Sequence, residues 1–145
     1  IFLVYVSGIS LMSDVSRIFQ YHGAEHKTVN CHEKGMRLTP KNVLTCSRIH
    51  PRCGTSLIVF VLGISIVLFS IIKSPVWYIN IGLRILLIPV IAGASYELIK
   101  WSSRRPDNSV LRLLIKPGLW TQELTTREPS AKQCEVAIKA IKAVL

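Results

Sequence analysis

The apolar residues of this chain fall into long blocks. Residues 54–72 carry no charge, and nineteen residues at a rise of about 1.5 Å make a helix of roughly 28 Å, near the hydrocarbon thickness of a bilayer. A second block, residues 74–96, is interrupted only by Arg84, which we expect to reach an interface or to face another helix or a lipid phosphate. The pattern predicts transmembrane helices at 55–72 and 80–100, joined by a short link at 73–79.

Aromatic residues lie at both ends of the second block, where interfacial side chains are expected: Trp77, Tyr78, Tyr96 and Trp101. The alternative to two spans is a buried helical hairpin in a soluble protein. Residues 1–12 are also apolar but too few to cross a bilayer, so we expect the end of a truncated span and a longer native protein.

Helical periodicity replaces the apolar blocks elsewhere. Residues 13–54 predict two short helices, the first beginning near Ser13 and the second capped by Thr39 with Pro40 at its first position. Residues 101–145 predict an amphipathic tail, whose last helix, after Ser130, needs the first of these helices or another protein to cover it. The fold class predicted is all-α, a polytopic helical membrane protein with a cytoplasmic helical face.

Basic residues flank the predicted spans and account for a net charge of +10. Seven lie in residues 13–53 and nine in residues 100–145, so both segments are expected in the cytoplasm and the link outside. Anionic lipid explains this excess, and no nucleic-acid partner is expected. The four cysteines fall in the cytoplasmic segments and are expected to be reduced.

The segment from Tyr21 to Lys27 holds the candidate chemistry. His22, Glu25 and His26 share one helical face, where two imidazoles could bind a metal and a carboxylate could act as general base. The order His-x-x-Glu-His is that of inverted zincins. Three interpretations stay open: a catalytic metal, a structural metal, or a polar pocket in which the histidines pair with Glu25 and Tyr21.

A third ligand would come from elsewhere in the chain. His50 and Cys53 precede the first complete span, and Cys53 lies at a predicted helix N-terminus, which favours a thiolate. Folding of this loop over the first helix would bring both residues to the histidines. Glu97, at the cytoplasmic end of the second span, is a further candidate. Two imidazoles and one such ligand leave a position open on zinc, the expected cofactor.

Several blocks resemble one family in the same order along nearly the whole chain. They are Tyr-His-Gly-Ala-Glu-His-Lys-Thr (21–28), His-Pro-Arg-Cys-Gly-Thr-Ser (50–56), Ala-Gly-Ala-Ser-Tyr-Glu (92–97), Pro-Gly-Leu-Trp (117–120) and Leu-Thr-Thr-Arg-Glu-Pro (124–129). The chain resembles the YqhQ-like bacterial membrane proteins, described as predicted metal-dependent enzymes. That resemblance implies a multi-pass protein of the bacterial cytoplasmic membrane, with His22, Glu25, His26, His50 and Cys53 in the family signature.

Members of that family also carry an N-terminal glycine-rich block that this sequence lacks, so any group supplied from there is missing. The leading hypothesis is a zinc-dependent hydrolase-like enzyme at the cytoplasmic membrane surface. The alternative is a non-enzymatic assembly or scaffold protein that binds another membrane complex, such as the protein-export translocon. Membrane lipid is an expected partner under either hypothesis.

Overall fold

The computed structural model describes residues 2–105 and 108–145, and all regular structure in that part of the chain is helical, as the sequence predicts. The helices in chain order are α1 (Phe2–Ile9), α2 (Ser13–Glu33), α3 (Pro40–Thr45), α4 (Gly54–Ile71), α5 (Trp77–Arg104), α6 (Ser109–Thr125) and α7 (Ala131–Lys142). The chain divides into two compact units. The first comprises residues 1–50 and 119–145, and the second comprises residues 51–118.

Local signals set the helix ends in the first unit. The Thr39 side chain accepts a hydrogen bond from the Asn42 N–H and Pro40 occupies the first turn, so the predicted start of α3 is confirmed. Gly35 follows α2 at a φ of 66°, a left-handed conformation that L-residues with a Cβ rarely adopt. The chain therefore reverses between α2 and α3 at the one residue that does so without strain.

Helix α7 covers α2 and α3 in the first unit. Ser130 and Gln133 form a capping box at its start, and Cys134 and Ile138 enter a small core with Ala24, Cys31, Val43 and Cys46. Of the two partners that the sequence left open for the last helix, the first helix of residues 13–54 is the one that α7 packs on. All four cysteines are free, as expected for reduced thiols.

Gly23 lets the segment after α6 lie directly on α2. A Cβ at this position would clash with the Arg127 carbonyl oxygen, and the Arg127 N–H donates to the Phe19 carbonyl at 2.9 Å. An alanine here would push the two backbones apart. The close approach fixes residues 125–128 beside the helix that carries His22 and His26.

The second unit is built on α4 and α5, which pack together with Phe60, Ile91 and Ile99 turned inward. Both helices are long and apolar enough to cross a membrane. Only 11% of the apolar window of each is buried, whereas the helices of a soluble core hairpin would be mostly covered. Exposed apolar side chains continue along both, including Ile66 on α4 and Ile85 on α5.

Arg84 is the single charge inside the second apolar block. Its guanidinium carbon lies 5.5 Å from the centre of the Phe69 ring on α4. A cation over an aromatic face gains electrostatic stabilisation in place of part of its hydration. Of the alternatives predicted for Arg84, the structure shows the contact with another helix.

Candidate metal centre

His22 and His26 lie one turn apart on α2 with their rings together. The ring centroids are 4.4 Å apart and the planes meet at 66°. His26 is buried and His22 is half-buried. The shared face predicted from the spacing is confirmed for the two imidazoles.

Each imidazole is held by a backbone carbonyl from a distant part of the sequence. His22 Nδ1 lies 2.9 Å from the Thr125 carbonyl oxygen, and His26 Nδ1 lies 2.7 Å from that of Arg48. A carbonyl oxygen only accepts, so Nδ1 carries the proton in both rings. In the neutral form Nε2 then has the lone pair, which is the tautomer that a metal ligand on Nε2 requires.

Arg48 fixes the relation between these two carbonyl-bearing segments. Its Nη1 donates to the Thr126 carbonyl oxygen at 2.6 Å and to the Thr126 hydroxyl oxygen at 2.8 Å. Arg48, whose backbone carbonyl binds His26, therefore also binds Thr126. Thr126 is the sequence neighbour of Thr125, whose carbonyl binds His22. One guanidinium therefore supports both rings.

Gln122 makes a second connection from α6 to the loop that contains His50. Its side-chain oxygen accepts from the His50 N–H and its amide donates to the His50 carbonyl, each at 2.8 Å. Gln122 is fully buried. The Gln122 amide thus pairs with both backbone groups of His50, as a neighbouring strand does in a β-sheet, and fixes the position of that backbone.

His50 lies beside the pair and faces a carboxylate. Its ring centroid is 6.0 Å from that of His26, so the loop does bring His50 to the first helix as predicted. His50 Nε2 lies 3.3 Å from both carboxylate oxygens of Glu33. His50 is buried and Glu33 is exposed, so the carboxylate links a buried imidazole to solvent.

Lys27 is a buried lysine that connects three segments. Its ammonium donates to the carbonyls of Leu44 and Cys46 at 3.0 and 2.9 Å, and pairs with Glu128 at 3.0 Å. Burial of an ammonium is tolerated only where such partners replace water. Lys27 thereby fastens the end of α3 and residues 126–128 to α2, behind the two histidines.

Cys53 follows His50 by three residues and caps α4. The Thr55 N–H donates to its sulfur at 3.4 Å, so the predicted position at a helix N-terminus is confirmed. Its side chain is buried. Cys53 remains a predicted third ligand for the two imidazoles.

Glu25 and Glu97 remain predictions as base and ligand. Glu25 is exposed and lines an apolar groove between α2 and α7, together with Val136 and Ile141. Glu97 is exposed on α5 and accepts a hydrogen bond from the Lys100 ammonium at 3.1 Å.

The residues that hold the histidines in place were not predicted from the sequence. Glu33 follows the α2 stripe poorly and reads as a surface residue, yet it is the partner of His50. Arg48 and Gln122 carry no local pattern that marks them. Two blocks of the resemblance contain other supporting residues: residues 21–28 include Lys27, and Leu-Thr-Thr-Arg-Glu-Pro includes Thr125 and Thr126.

Two comparisons bear on the family. Residues 1–145 match the model of a family described as a protein of unknown function, DUF1385. The chain belongs to the DUF1385 family. It is also 39% identical over 143 residues to "Uncharacterized protein YqhQ" of Bacillus subtilis (strain 168), a match that covers 99% of this chain and 45% of that protein.

The predicted resemblance to YqhQ-like proteins is thereby confirmed. The chain spans less than half the length of that protein. No solved structure matches the chain.

Proposed function

We propose that this chain belongs to a zinc-dependent, hydrolase-like membrane enzyme in which His22, His26 and Cys53 hold the metal at the cytoplasmic membrane surface. The observation that carries the proposal is the pair of adjacent imidazoles with both Nδ1 atoms on backbone carbonyls. Outer hydrogen bonds of this kind orient metal-binding histidines and fix their tautomer.

The donor types favour zinc over other ions. Two imidazoles and a thiolate are borderline-soft donors, whereas magnesium and calcium prefer oxygen ligands. Cys53 is within chain reach, because three residues beyond His50 span at most about 11 Å. When bound, zinc would supply Lewis acidity at neutral pH.

The chain's own residues would then move protons. His50 is one candidate proton acceptor, and its Nε2 lies 3.3 Å from the Glu33 carboxylate. Glu25 remains the base predicted from sequence. Replacing each in turn, as Glu25→Gln and His50→Gln, distinguishes them, because only the true proton acceptor is required once zinc is bound.

The membrane arrangement is part of the proposal. Helices α4 and α5 would cross the bilayer, with the link between them outside and residues 13–53 and 100–145 in the cytoplasm. Sixteen of the eighteen basic residues lie in those two segments, which supports this orientation by the positive-inside rule.

The test is the metal content of the purified chain. We expect about one zinc per chain by elemental analysis, reduced to background in His26→Ala and His22→Ala. His32→Ala is the matched control, because His32 is an exposed histidine at the end of the same helix. Undiminished zinc in His26→Ala would end the proposal.

Hydrolysis is tested separately with p-nitrophenyl acetate as a generic ester. We expect turnover that depends on zinc and is lost in His26→Ala. Bound zinc without any turnover of the ester would mean that the metal is structural. The structural-metal interpretation would then replace the catalytic one.

A second candidate function rests on the apolar groove of about 430 Å³ between α2 and α7, lined by residues that include Val29, Val136 and Ile141. We propose as the alternative a scaffold protein that binds another membrane complex, such as the protein-export translocon. Co-purification in mild detergent separates the two functions. A stoichiometric partner with no zinc favours the scaffold, and zinc with no partner favours the enzyme.

A further inference from the structure

The second unit contains a basic cavity, and the proposed ligand Cys53 is among the residues that line it. The cavity has a volume of about 460 Å³ and lies where the start of α4 meets the end of α5. Ligand pockets for small molecules commonly measure about 300–1,000 Å³. Arg52, Lys100 and Arg104 line it.

Three basic side chains give the cavity a positive potential, which favours an anionic ligand. Lys100 is partly compensated by Glu97 at 3.1 Å, but Glu97 does not line this cavity. Lys100 and Arg104 are four residues apart on α5 and therefore project from the same side of the helix. Their charges converge on the same space as that of Arg52.

The N-terminus of α4 adds to the positive potential. Gly54, the first residue of this 18-residue helix, lines the cavity, and a Cβ at Gly54 would meet no atom within 4 Å. Space above the first turn is therefore open to a ligand. Helix N-termini attract phosphate through their dipole and their amide groups.

The rest of the lining is apolar. Leu57 and Ile99 form part of the wall, and Tyr96 places an aromatic ring beside Lys100, whose ammonium lies 5.7 Å from the ring centre. A free phosphate would gain nothing from leucine and isoleucine. A molecule with a phosphate at one end and hydrocarbon at the other would use both parts of the wall.

We infer that this cavity binds the phosphate of an anionic membrane phospholipid, with the glycerol and upper acyl chains against Leu57 and Ile99. The inference rests on the proposed placement of α4 and α5 in a membrane, since that placement brings the cavity to headgroup level. Basic pockets between helices on the cytoplasmic side are known to bind anionic headgroups. Phosphatidylglycerol meets these requirements.

The experiment titrates the full chain in dodecylmaltoside with dihexanoyl phosphatidylglycerol by calorimetry, with dihexanoyl phosphatidylcholine and inorganic phosphate in parallel. We expect saturable binding of phosphatidylglycerol that is at least about tenfold tighter than that of either comparison ligand. Equal affinity for inorganic phosphate would assign the cavity to a free phosphate and overturn the lipid assignment. Equal affinity for phosphatidylcholine would overturn recognition of net negative charge.

Variants locate the binding. The double variant Lys100→Gln with Arg104→Gln should weaken phosphatidylglycerol binding by about thirtyfold, since each cation near a lipid headgroup contributes about fivefold. Arg105→Gln is the matched control, because Arg105 is exposed, stacks over Trp101 at 5.6 Å and does not line the cavity. An equal loss in both would mean general surface charge and would overturn the site.

Zinc content measured on the same samples separates this inference from the proposed enzyme. The double variant should keep wild-type zinc, since neither residue is among the proposed ligands His22, His26 and Cys53. Loss of lipid binding with zinc retained supports an independent lipid site. Binding unchanged in the double variant would refute the site even where zinc is present.

Discussion

His22 and Thr125 are 103 residues apart in the sequence, and the His22 Nδ1–H donates to the Thr125 carbonyl oxygen over 2.9 Å. That bond fixes the tautomer of one of the two imidazoles proposed to hold zinc. Its geometry depends on how closely residues 125–128 approach α2. Substitutions of residues that are not themselves proposed ligands should therefore change metal binding.

Gly23→Ala should destabilise the first unit and weaken zinc binding together. The new Cβ would clash with the Arg127 carbonyl oxygen, and relieving the clash displaces the segment that contains Thr125. Overpacking of this kind costs about 1–3 kcal/mol. Thermal unfolding and zinc content of the same preparation measure both effects.

Gly63→Ala is the control for Gly23→Ala. A Cβ at Gly63 would meet no atom within 4 Å, and alanine is a better helix former than glycine. We expect unchanged zinc and an unfolding temperature equal to or above that of the wild type. A Gly23→Ala protein that behaves like this control would show that the close approach to Arg127 is not required.

Arg48→Lys should lower zinc affinity while the chain remains folded. Lysine keeps the charge but cannot reproduce the bonds of one guanidinium nitrogen to the carbonyl and hydroxyl oxygens of Thr126 at the same position. Loss of such outer support typically costs about 10–100-fold in metal affinity. Competition with a zinc chelator gives the affinity, and Arg37→Lys, at an exposed arginine, should leave it unchanged.

Gln122→Leu should reduce stability through the backbone of His50. The substitution removes the partners of the His50 N–H and carbonyl, and each unsatisfied buried group costs about 1–3 kcal/mol. Denaturant unfolding measures the loss. Gln20→Leu is the comparison, because Gln20 is only half-buried and accepts a single bond, from the Gln133 side chain, so a smaller loss is expected.

The thiols of the first unit should make the protein less stable at high pH. Burial raises the pKa of Cys31 above its ordinary value of 9.0, and Cys46 beside it adds to the increase. Burial also raises the pKa of Cys134, partly offset by the Lys27 ammonium. A thiol whose folded pKa is raised favours the folded state below pH 9.0, and this stabilisation is lost as pH rises through the folded pKa.

Chemical unfolding between pH 7 and 10 tests whether stability falls as the pH rises. We expect the free energy of unfolding to fall above about pH 9, and to fall less steeply in Cys134→Ala. Alkylation by iodoacetamide at pH 7.5 should be slow at Cys31 and Cys134 until denaturant is added. Rapid labelling of both in the folded chain would contradict the protonated, buried state.

The sequence alone determined the features that depend on neighbouring residues. Helix starts at Thr39 and Ser130 follow from side chains that reach amides two or three residues away. The length and apolar composition of α4 and α5 are likewise local properties. The adjacency of His22 and His26 follows from the 3.6-residue period of the helix.

The residues that surround those histidines become apparent only from the packing of distant segments. The partners of Lys27, Arg48 and Gln122 lie 17 to 101 residues away, and no periodic pattern encodes such pairings. Glu25 is a second example of what helix spacing does not determine. Its spacing places it near the face of α2 that carries the histidines, but the packing of α7 places it in the groove between α2 and α7. Long-range contacts depend on how several segments pack together. The pattern within one segment therefore identifies the two histidines but not the distant residues that hold them in place.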